Sequence, residues 1–87
     1  MNKADIIRER YPDHELLLMD GYDDCIMGIV ERFNSLMVLY DLEKVIEKLV
    51  SQGMSRSEAE EWYGFNMVGA WVGDSTPAFF IPLEEET

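Results

Sequence analysis

From Asp41 to Gln52 apolar and charged positions separate cleanly onto two faces. Leu42, Val45, Ile46, Leu49 and Val50 keep the i, i+3, i+4, i+7, i+8 stripe, with Glu43, Lys44, Glu47 and Lys48 outside it. The spacing predicts an amphipathic helix with Asp41 as its N-cap and Gly53 just past its end. Ser55-Arg56-Ser57-Glu58 is a capping box and opens a second helix, whose apolar side carries Ala59, Trp62, Tyr63 and Met67, with Asn66 on the same stripe. Gly64, Gly69 and Gly73 would each cost a helix about 1 kcal/mol relative to alanine, so the second helix is expected to end near Met67.

Elsewhere the pattern is shorter. Asn2 with Asp5 marks a helix start, and Ile6, Ile7 and Tyr11 share a face before Pro12 stops it. Leu16 to Met19, closed by Asp20-Gly21, reads as a buried strand leaving through a turn. Cys25 to Phe33 fits a helix through Ile26, Ile29, Val30 and Phe33, or a strand in view of Gly28 and the β-branched residues; the strand is preferred. Asn34-Ser35 would then turn the chain into Leu36 to Tyr40 as a hairpin. Ala70 to Val72 and Ala78 to Ile81 read as two further strands around a Gly73-to-Pro77 turn. The expectation is an α+β domain spanning residues 1–83: a short N-terminal helix, a small mainly antiparallel sheet and two consecutive amphipathic helices. Glu84-Glu85-Glu86-Thr87 is an acidic tail.

Composition narrows the chemistry. The 87 residues suffice for one core, and 47% hydrophobic content with 11% aromatics argues against disorder. Eighteen carboxylates against seven basic groups leave a net charge of −11. A body so charged is repelled by phosphates and has no basic patch, which excludes direct nucleic-acid binding by charge. The longest apolar runs, Cys25 to Val30 and Met67 to Val72, are too short to span a membrane, and the charged start fits no signal peptide. Together with the lone Cys25, which allows no intramolecular disulfide, this points to the cytoplasm. Cys25 reads as a packing residue, and His14 is the only imidazole.

No catalytic constellation or cofactor motif stands out; the glycines of 64, 69 and 73 lack the Lys-Ser or Lys-Thr of a phosphate loop. Asp20, Asp23 and Asp24 around Gly21 form the most site-like cluster, since carboxylate oxygens suit a divalent cation or acid–base work. Their spacing does not match a calcium loop, and a polar turn capping the next element is the preferred account. Asn66 is read as satisfying backbone groups at a helix exit, or as a recognition residue beside Trp71, Asp74 and Thr76. Trp62 and Trp71 are candidate interface anchors.

Asp20-Gly21-Tyr22-Asp23-Asp24 before Ile26-Met27-Gly28, Leu39-Tyr40-Asp41, Gly53-Met54-Ser55 with Glu58-Ala59, and Phe65-Asn66-x-x-Gly69-Ala70-Trp71-Val72-Gly73-x-x-Thr76-Pro77 together resemble a group of small proteins encoded by tailed bacteriophages. The likeness spans roughly residues 16 to 81 and carries no catalytic role. It implies action inside an infected bacterium, where small acidic phage proteins bind host enzymes or defence complexes. The leading expectation is therefore a non-enzymatic accessory protein that binds a host or phage protein complex handling nucleic acid. It would imitate nucleic-acid charge as anti-restriction or anti-CRISPR inhibitors do, and self-association is compatible with it. Asp20, Asp23, Asp24, Glu58, Glu60 and Glu61 would supply charge, Tyr22 or Trp71 an anchor, and Asn66 and Asp74 further contacts. One alternative is a metal- or ligand-binding protein, with hydrolysis as its candidate activity, built on the Asp cluster with Asn66 and Asp74. The other is a structural phage component assembling through the C-terminal half.

Overall fold

The computed structural model describes residues 2–68, 73 and 75–83. The expected strand over 70–72, with Trp71, as well as Asp74 and the 84–87 tail, lie outside the described residues. The chain is an α+β fold in the order α1 (Lys3–Arg10), β1 (Ile26–Arg32), β2 (Ser35–Asp41), α2 (Leu42–Ser51), α3 (Arg56–Tyr63) and β3 (Ala78–Phe80). A single 3₁₀ turn, Asp23–Cys25, precedes β1, and a π-helical turn, Gly64–Val68, follows α3.

The helices begin where their caps place them. Asn2 Oδ1 accepts from the Asp5 amide at 2.9 Å, and Asp41 Oδ1 from the Glu43 amide at 3.0 Å. At α3 the Ser55 and Glu58 pair exchanges both capping bonds. Gly53, at φ +107°, takes the left-handed position that ends α2, a conformation open to glycine at no steric cost. The apolar stripe of α2 buries Val45, Ile46 and Leu49 against Val38 and Tyr40 of β2, Ile26 of β1 and Ala59 of α3.

β1 and β2 form the expected hairpin, but its loop is Phe33-Asn34 rather than Asn34-Ser35, because Arg32 pairs with Ser35. The core sets this register. It places Ile29 opposite the fully buried Val38, whereas a loop one residue later would put Glu31 there. A bulge between Ile26 and Gly28 absorbs one extra residue.

β3 pairs with the other side of β2, in parallel, giving the strand order β1-β2-β3. The two helices between β2 and β3 supply the long crossover that parallel neighbours require. The ladder is antiparallel over six residue pairs and parallel over three, so the sheet is mixed though mainly antiparallel.

Leu16 to Met19 does not form the expected strand. Both edges of β2 are already taken, and the Met19 amide instead donates to the buried Tyr40 hydroxyl at 2.6 Å. Leu16, Leu18 and Met19 still pack on the core, so the apolar run is explained by burial without a ladder.

Candidate protein-binding face

At its C-terminal end α3 presents two adjacent stripes. Ala59, Tyr63 and Met67 turn inward, and Tyr63 packs edge-on against Phe79 at 4.9 Å between ring centroids. Glu58, Glu61, Trp62 and Phe65 stand at i, i+3, i+4 and i+7 on the neighbouring stripe and face outward. Trp62 is 37% exposed and Phe65 83%. Trp62 therefore lies at the boundary of the core rather than on the buried face expected for it.

Trp62 also separates two depressions. The first, about 340 Å³, is an apolar groove between the irregular Leu17–Met19 segment, Tyr22, Met67 and Phe79. The second, about 300 Å³, lies between Met54, Phe65 and the carboxylates of Glu58 and Glu61. Asn66 borders both, and its Nδ2 donates to the Trp62 carbonyl at 3.0 Å. An α-helix would hand that carbonyl to the Asn66 backbone amide. The side chain serves it where the backbone widens into the π turn, so Asn66 is a structural amide at the rim of a groove.

The acidic cluster is dispersed. Asp20 is exposed, Asp23 receives only a long 3.5 Å contact from Asn2, and Asp24 pairs with Lys48 at 2.6 Å. The Lys48 hydrogen bond holds the Asp24 carboxyl below its usual range. Among the described residues no three His, Cys, Asp or Glu side chains converge to hold a metal ion. Tyr22 lines the apolar groove with its ring 5.6 Å from the Lys48 ammonium, and burial raises its hydroxyl pKa.

The α3 acids differ in how free they are. Glu58 bonds its own N-cap amide, which lowers its pKa; Glu60 meets Arg56, which also chelates Glu43 at 2.9 and 3.0 Å. Glu61 has no ion-pair partner among the described residues and points to the second depression. Cys25 is buried, and burial together with the Asp24 charge pushes its thiol up to about 11. That makes it a poor nucleophile near neutral pH.

Phe65 was missed by the sequence reading, although its i+7 relation to Glu58 places it on the charged stripe and not the apolar one. The groove walls Leu17 to Met19 and Phe79 come together only through tertiary folding. Among the described residues no helix is long and apolar enough to cross a membrane. No family model matches the chain, and neither a curated protein nor a solved structure matches it at a significant level.

Proposed function

We propose that the chain is a small acidic accessory protein of the phage type that works by binding another protein, without catalysis of its own. One observation carries the reading. On a body of net charge −11, exposed Trp62 borders an apolar groove and, with exposed Phe65, the adjoining depression that Glu58 and Glu61 edge. Exposed aromatics beside desolvated pockets are the usual anchors of interfaces, and carboxylates around them select a basic counterpart. The partner is therefore a protein segment that pairs apolar side chains with Lys or Arg, as phosphate-binding surfaces of nucleic-acid-handling complexes do. Asp20 and Asp23, which bracket the groove-lining Tyr22 in the chain, add to the negative charge.

The test is retention of bacterial nucleic-acid-handling complexes on immobilised wild-type chain, compared with Phe65→Ser and Glu61→Lys on this face and Glu47→Lys on α2 as a control. Wild type and Glu47→Lys are expected to hold the same complex, with retention falling as salt rises, while Phe65→Ser and Glu61→Lys lose it by about tenfold. Equal retention by all four, or retention indifferent to salt, would overturn the proposal.

A further inference from the structure

A second groove, about 390 Å³, lies between α1 and β1 and differs from the first in charge. Ile6, Met27 and Ile29 wall it, and Gly28 leaves it open, since a Cβ there would meet no atom within 4 Å. Two of the seven basic side chains, Lys3 and Arg10, stand along it. Lys3 Nζ donates to the Ile26 carbonyl at 3.0 Å, which fixes the ammonium at the groove with donors to spare. Arg10 forms no ion pair among the described residues. A cationic apolar slot on so acidic a molecule calls for an occupant that is apolar and anionic.

The chain itself carries such a segment. Beyond β3, Ile81 is 62% exposed and Leu83 92%, two apolar side chains at the period-2 spacing of an extended strand, and Glu84-Glu85-Glu86 follow directly. The order of apolar pair and then carboxylates complements Ile6, Met27 and Ile29 flanked by Lys3 and Arg10. β1 and β3 occupy opposite edges of the sheet, so slot and segment are separated within one molecule. We propose that residues 81–86 of one copy dock in the α1–β1 groove of a second copy, joining chains head to tail. The contact is heterologous: each copy offers a segment and a groove, and neither is consumed by the same partner. Mutual repulsion of two −11 bodies opposes it, so association shows at high protein concentration.

Sedimentation velocity over a concentration series tests this, with three variants. Ile81→Ser with Leu83→Ser removes the donor, Arg10→Glu removes the acceptor charge, and Arg10→Glu with Glu84→Lys and Glu85→Lys exchanges the charges. Wild type is expected to gain mass with concentration, the first two variants to associate at least about tenfold more weakly, and the charge exchange to restore association. Mixing the donor-less and acceptor-less chains should give a dimer and nothing larger, because one intact interface remains. The proposal is overturned if wild type stays monomeric throughout. It is also overturned if the variants associate like wild type, or if amide shifts in the groove respond to Leu83→Ser without any dependence on concentration, the mark of docking within one chain.

Discussion

Phe33 is the residue most at odds with its place. It occupies the first position of the hairpin loop at φ +53°, which costs a non-glycine residue about 1–2 kcal/mol, and its ring is 91% exposed. Burial does not offset that cost, so the strand pairing on either side of the loop must hold the turn. Tyr40 is the opposite case. Its ring is wholly buried, packs near Phe79, and its hydroxyl accepts from the Met19 amide, tying the irregular 16–19 segment to the sheet. Tyr40→Phe keeps the ring but leaves that partly buried amide without its partner. It should destabilise the fold by about 1–2 kcal/mol in a urea titration, and a change near zero would mean that water replaces the bond freely.

At the scale of elements, α3 illustrates how caps translate into pH dependence. The Glu58 carboxylate is favoured in the folded chain by the Ser55 amide and hydroxyl, so its pKa lies below the ordinary glutamate value. A depressed carboxyl contributes stability that is fully present above the ordinary glutamate pKa and is lost as pH falls through the lowered one. Comparing wild type with Glu58→Ala should therefore give a melting-temperature gap that is widest at neutral pH and closes in acid. A gap that persists unchanged in acid would show that the side chain acts by packing instead. The capping box itself was legible from Ser55 and Glu58 because its donors and acceptors are three residues apart. The π turn that follows was not, since Gly64 signals only that a regular helix is weakened, not which irregular turn replaces it.

For the molecule as a whole, charge outweighs individual ion pairs. The pairs at Arg8, Lys48 and Arg56 are all exposed in part and each is worth little, typically about 0–1 kcal/mol. Against them stands a net −11 on a body with extents of 39 × 32 × 26 Å. At about 0.01 M salt the Debye length, about 30 Å, spans that body; at about 1 M it is about 3 Å. Sodium chloride should therefore raise the melting temperature across this range by relieving self-repulsion, as differential scanning fluorimetry would record. A falling melting temperature would show that the surface pairs dominate.

Short-range rules carried much of this architecture. The stripe of α2, the caps at Asn2, Asp41 and Ser55, the Gly53 exit and the hairpin partners all depend on residues close together in the chain, and each is present. The charge, and with it the kind of partner the surface can tolerate, is likewise a property of composition. Only the folded chain decided that β3 lies parallel to β2, that Leu16 to Met19 packs without pairing, and that Trp62 stands between an apolar groove and the depression lined by Phe65. The physical reason is range: periodicity says which face of a segment is apolar, whereas the neighbour that covers it is chosen by the competition of all segments for one small core.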